Sequence, residues 1–66
     1  MEKSVLISSA KAELNDVRKR GHLFPPKMRA VVDAIRATVK EGGFTLEDVG
    51  TSEKELDCLL RKAGLN

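Results

Sequence analysis

Leu6, Ile7, Ala10, Leu14 and Val17 recur at steps of three and four, with Lys11, Glu13, Asp16 and Arg18 on the other faces. This spacing predicts an amphipathic helix from about Val5 to Arg20, with Ser4 as its N-cap. Lys19-Arg20-Gly21 suits the helix end, because cations favour the negative pole of the dipole and glycine accepts a left-handed closing conformation. The Ile7, Ala10, Leu14, Val17 row also follows the a/d pattern of a coiled-coil seam, for under two heptads.

His22-Leu23-Phe24 then leads into Pro25-Pro26. The proline rings bias Phe24 and Pro25 toward extended geometry and suit Pro26 to a first helical turn, so residues 21–25 read as a stiff linker. Met28, Val31, Val32, Ile35 and Val39 form one apolar stripe, and Lys27, Arg29, Asp33, Arg36 and Lys40 lie mostly off it. The stripe predicts a second helix from Pro26 to Glu41, stopped by Gly42-Gly43. Thr45 with Asp48 resembles a capping box and opens a short helical turn through Val49, which brings Phe44, Leu46 and Val49 toward the core. Ser52 with Glu55 makes a second box. Leu56, Leu59, Leu60 and Ala63 carry a third helix, closed at Gly64-Leu65 by a Schellman turn whose Leu65 packs back.

Strand patterns, internal repeats and low-complexity tracts are missing from this pattern. The expected fold is all-α: a small three-helix bundle with one extra short helical turn, a single domain over residues 1–66. Its compact part spans 26–66, and the first helix packs on it or reaches to a second copy.

Size sharpens this expectation. A chain of 66 residues has a core able to supply only a few kcal/mol of net stability. The lone Cys58 excludes an internal disulfide, and His22 with Cys58 makes no ligand cluster, so no metal or cofactor is expected. Self-association is the remaining support. A homodimer is therefore expected, with Leu6, Ile7, Ala10, Leu14 and Val17 as its contact row. No apolar run approaches the roughly 20 residues that span a bilayer, and the opening apolar run is too short for a signal peptide, so a cytoplasmic protein is expected. Glu13 and Asp16 count against a membrane-surface helix at the N-terminus.

Charge is distributed unevenly. Seven of the twelve Lys and Arg residues fall between Arg18 and Lys40 with a single acid, Asp33, whereas residues 41–57 hold six acids and only Lys54. Such polarity suits an anionic partner or head-to-tail association of copies. Arg18, Lys19, Arg20, Lys27, Arg29 and Arg36 are the candidate phosphate contacts. Catalysis has thin support: His22 lies in the linker and reads as solvated, Cys58 reads as a half-buried apolar residue, and the acids read as dipole complements and a wet face. Gly42-Gly43 follows a helix and is a stop, not a phosphate loop.

The stretch from Arg29 through Lys40-Glu-Gly-Gly-Phe-Thr-Leu-Glu-Asp-Val-Gly50 resembles the end of the oligomerisation region in histone-like nucleoid-structuring (H-NS-like) proteins. There, too, a helix closes into a turn of glycine, Leu or Phe followed by Thr, and Glu-Asp-Leu-Gly. The resemblance covers about a third of the chain and implies a self-associating, DNA-linked bacterial protein, although residues 51–66 hold no counterpart of that family's Arg-Gly-Arg-type core. A second likeness is to the helix-turn-helix of transposase-type proteins, from Phe24-Pro-Pro-Lys-Met-Arg to Gly50-Thr-Ser-Glu-Lys-Glu-Leu. Its middle helix would be only Thr45 to Val49, and Glu53, Glu55 and Asp57 on the reading face repel phosphates.

Two functional expectations follow. The first is a non-enzymatic, self-associating accessory protein acting on DNA or on DNA-bound proteins. The second is an adaptor or inhibitor that binds no nucleic acid and docks on a basic protein through Glu47, Glu53 and Asp57. Neither involves a small-molecule substrate.

Overall fold

A computed structural model describes residues 2–65, the His22 side chain apart. Helices α1 (Lys3–Arg20), α2 (Pro25–Lys40) and α3 (Glu53–Lys62) form an all-α bundle. Two 3-10 turns, Gly21–Leu23 and Glu47–Val49, fill the connections. α1 packs on α2 and on the second turn, while α3 lies against α2 and the corner turn between the first two helices. The Cα radius of gyration is 11.1 Å, close to the ~10.8 Å of a compact chain of this length. α1 is thus part of the bundle and does not project from it. Among the described residues no helix is long and apolar enough to cross a membrane.

The helix boundaries show which local signals prevailed. Ser4 is not the cap of α1; the helix starts one residue before it, at Lys3, with Glu2 at the N-cap and no side chain capping. The Glu2 carbonyl accepts from Val5 and Leu6 N–H groups, and the other open donors lie at an exposed end where water satisfies them. α2 takes both prolines into its first turn. That is allowed because N–H groups there have no intrahelical partner to lose. Its end lies at Lys40, followed by Gly42 at φ 83°. Gly43 N–H donates to the Thr38 carbonyl (2.9 Å) and Gly42 N–H to Val39 (3.1 Å), the Schellman pattern. α3 closes the same way: Leu65 N–H donates to Leu60 (2.9 Å) and Gly64 N–H to Arg61 (3.0 Å).

Gly21 departs from expectation. It has φ −57° and ψ −32°, ordinary right-handed helical geometry. Its missing side chain matters for a different reason: a Cβ here would lie 2.1 Å from Met28 Cε and 3.2 Å from Val17 Cβ. The glycine lets α1 and α2 converge at the corner while Met28 fills the space beside it.

Leu14, Val17, Met28, Val31, Val32, Ile35, Phe44, Val49, Leu56 and Leu59 make one buried cluster. Phe44 and Val49 plug the bundle as anticipated, with Leu46 and Leu65 packed at its edge. The row proposed for self-association is divided by the fold. Leu14 and Val17 are 0% and 2% exposed in the chain's own core, and Leu6, Ile7 and Ala10 are partly buried against it.

Candidate docking site

The charged halves of the chain meet inside the same molecule. Arg18 lies in the last turn of α1, and its guanidinium donates from Nε to Glu55 Oε2 (3.2 Å), from Nη2 to Glu55 Oε1 (2.5 Å) and from Nη2 to the Gly50 carbonyl (2.8 Å). Glu53 and Asp57, four apart on α3 and hence on one face, both accept from Arg36 Nη2, at 3.0 and 2.9 Å. Lys27 donates to Asp16 at 2.8 Å, Arg29 lies 3.8 Å from Asp33, and Lys3 lies 3.4 Å from Asp48.

Hydrogen bonding and charge move the titrations accordingly. The Lys27 ammonium donates a hydrogen bond to Asp16 and holds that carboxyl below its ordinary value, and Lys27 is raised in return. The Thr45 N–H does the same for Asp48, helped by Lys3. Glu55 is lowered by hydrogen bonds from Arg18 and then Thr51. For Arg36 burial pulls downward, but the hydrogen bonds and charge of Asp57 and Glu53 together prevail and raise it.

These contacts modify one capping box. Ser52 Oγ accepts the Glu55 N–H at 3.2 Å, as the sequence pattern requires. The Glu55 carboxylate, however, takes the Thr51 hydroxyl (2.6 Å) and Arg18. The Thr45–Asp48 box forms in both directions, with Thr45 N–H to Asp48 Oδ2 at 3.0 Å and Asp48 N–H to Thr45 Oγ1 at 3.1 Å.

Of the six candidate phosphate contacts, Arg18, Lys27, Arg29 and Arg36 are therefore paired with acids of this chain. Lys19 and Arg20 have no ion-pair partner among the described residues and lie exposed at the end of α1. The acidic candidates are reduced similarly, since Glu53 and Asp57 hold Arg36 and only Glu47 stands outside the pairs within the described residues.

What the structure brings to the surface instead is apolar. Leu23 and Phe24 are 63% and 56% exposed at the α1–α2 corner, beside Lys19 and Arg20. Tandem prolines fix the chain just after them, and the Gly21–Met28 contact anchors it just before. A second apolar feature lies farther along the same helix pair. Val5, Leu6, Ala10, Val31, Ala34, Ile35 and Phe44 are among the residues lining an open groove of about 330 Å³. Thr38, also in the lining, donates its hydroxyl back to the Ala34 carbonyl at 3.0 Å. Glu13 is the one charged residue of the lining.

Cys58 is exposed, not half-buried as expected. Leu56 and Leu59 set the inward face of α3, and Cys58, two residues after one and one before the other, turns outward. The solvated reading of His22 lies outside the described side chains. Among the described residues no group of three His, Cys, Asp or Glu could hold a metal ion. The exposed corner was the feature sequence patterning missed. Its signal was present: Leu23 and Phe24 fall outside both apolar stripes, directly before a proline pair that fixes their direction. Comparison with protein-family models, with curated proteins and with solved structures finds no match for the chain.

Proposed function

We propose that this chain is a small non-enzymatic protein-interaction module whose docking surface is the α1–α2 corner. The observation that carries the reading is the exposure of Leu23 and Phe24 side by side on a corner already ordered by its prolines and by Met28. Aromatic and aliphatic groups on a rigid element make effective interface anchors, because little conformational freedom is lost when they are covered. Lys19 and Arg20 at the rim add a preference for an acidic partner. The complementary surface is an apolar hollow edged by carboxylates. The commitment of Glu53, Glu55 and Asp57 to arginines of the same chain supports the corner over the acidic end as the contact. A cytoplasmic setting suits the exposed, unpaired Cys58.

Selection from a displayed random-peptide library tests this directly. The expected binders carry an apolar residue flanked by acids, and their binding is lost in the Leu23→Ser/Phe24→Ser variant. Binders that tolerate this double substitution, or no binders at all, would sink the reading.

A second reading, contact with DNA, is supported by the unpaired Lys19 and Arg20 and by the likeness of residues 29–50 to nucleoid-structuring proteins. Of the six candidate phosphate contacts these two alone are without an acidic partner among the described residues, a small share of the contacts that give tight duplex binding. This reading predicts salt-sensitive binding of a short duplex, lost on Lys19→Glu/Arg20→Glu. Indifference to duplex at low salt removes it.

A further inference from the structure

We infer that the groove between α1 and α2 is filled by the Leu23–Phe24 corner of a second copy of this chain. The inference rests on the corner being a docking surface and names its occupant.

One molecule carries both halves of the contact. The corner presents two apolar side chains with two unpaired cations beside them. The groove is an apolar hollow of about 330 Å³ with a half-exposed rim at Val5, and the one charged residue in its lining is the acid Glu13. Glu13 has no ion-pair partner among the described residues, and neither have Lys19 and Arg20. Charge and polarity are therefore complementary between the two surfaces, whereas corner against corner would bring four cations together.

The two surfaces cannot meet within one molecule. Ala10, in the groove, and Leu23, at the corner, are separated by most of α1 and the turn after it, roughly 20 Å at the helical rise. Both elements are packed into the same bundle, so the corner cannot fold back onto its own groove. A second copy supplies what each lacks. The contact pairs two different surfaces of the chain, one from each copy. Val5, Leu23 and Phe24, the large hydrophobic residues that the bundle leaves exposed among the described residues, all fall within it.

Sedimentation velocity from micromolar to millimolar protein, with two variants, tests the assignment. Leu23→Ser/Phe24→Ser removes the knob. Ala34→Arg places bulk and positive charge in the groove at an exposed helical position where folding is not at risk; circular dichroism checks that both variants stay helical. The wild type is expected to gain mass with concentration, each variant alone to stay monomeric, and an equimolar mixture of the two to recover association, because each retains the half that the other has lost. Added salt weakens the recovered complex. A wild type that remains monomeric at millimolar concentration overturns the inference, as does association that survives either variant or a mixture that fails to associate. If library peptides still need Leu23 and Phe24 while the wild type stays monomeric, the corner remains a docking surface and only the second copy is excluded; if both fail, the corner itself is excluded.

Discussion

Arg18 and Glu55, 37 residues apart in sequence, form a two-point contact of 2.5 and 3.2 Å that ties the end of α1 to the first turn of α3. The same guanidinium holds the Gly50 carbonyl at 2.8 Å, so one side chain closes both the loop before α3 and the helix itself. Two parallel N–H donors matched to two carboxylate oxygens give this pair more directional strength than a single-point surface ion pair.

Arg18→Ala and Glu55→Ala are each expected to lower stability by about 1 kcal/mol, near the upper end for partly exposed pairs. In urea denaturation the double variant should lose less than the sum of the two, since both remove one contact. Strict additivity would show that the pair contributes nothing.

Acid should weaken the fold. Asp16, Asp48 and Glu55 all titrate below their ordinary values, through Lys27, the Thr45 N–H and Arg18 respectively. The unfolded chain therefore binds more protons than the folded one as pH falls past the ordinary carboxylate range, roughly pH 4. Stability from these groups is complete above that range and is lost as pH drops through their folded values. Lys27 is raised, so its contribution is complete below about pH 10 and disappears as pH rises through its folded value. Thermal melts across pH should show a plateau between these limits, and Asp16→Asn should flatten both shoulders.

Gly21→Ala is expected to destabilise by about 1–2 kcal/mol, because the overpacking beside Met28 exceeds the gain in helical preference. Introduced into Met28→Ala, the same change should cost less, since the Cε it meets at 2.1 Å is gone and only the 3.2 Å approach to Val17 Cβ remains. A left-handed requirement at this position would instead persist in both backgrounds, and denaturation curves of the four proteins distinguish the two.

Leu14→Ala should cost about 3 kcal/mol, enough to leave so small a bundle largely unfolded. Leu14 is fully buried within one chain, so in the Leu23→Ser/Phe24→Ser background, where the proposed contact between copies is removed, the loss should be the same in dilute and concentrated protein by circular dichroism. A loss that concentration repairs would place Leu14 between copies.

The Cys58 thiol should react with a disulfide reagent in native buffer as fast as in denaturant. Slow native labelling would indicate that this face of α3 is covered.

The three helices, the glycine stops of α2 and α3, and the two Ser/Thr caps before the 3-10 turn and α3 were legible in the sequence because they depend on near neighbours. Apolar residues at helical spacing, glycine free to adopt positive φ at Gly42 and Gly64, and hydroxyls three residues from the N–H they accept are all local relationships. So was the inward set from Met28 to Ile35. Tertiary structure decided what depends on contacts across the chain. The division between charged halves looked like a surface directed outward, yet Arg18 and Arg36 find Glu55, Glu53 and Asp57 once α3 folds back against them. Gly21 looked like a left-handed stop and proved to be a close-packing position. Leu14 and Val17 looked available to a partner and were consumed by the core, while Leu23 and Phe24, placed between two stripes, were left outside. Local pattern sets which face of each helix is apolar; only the packing of the helices determines which of those faces, and which charges, remain uncovered.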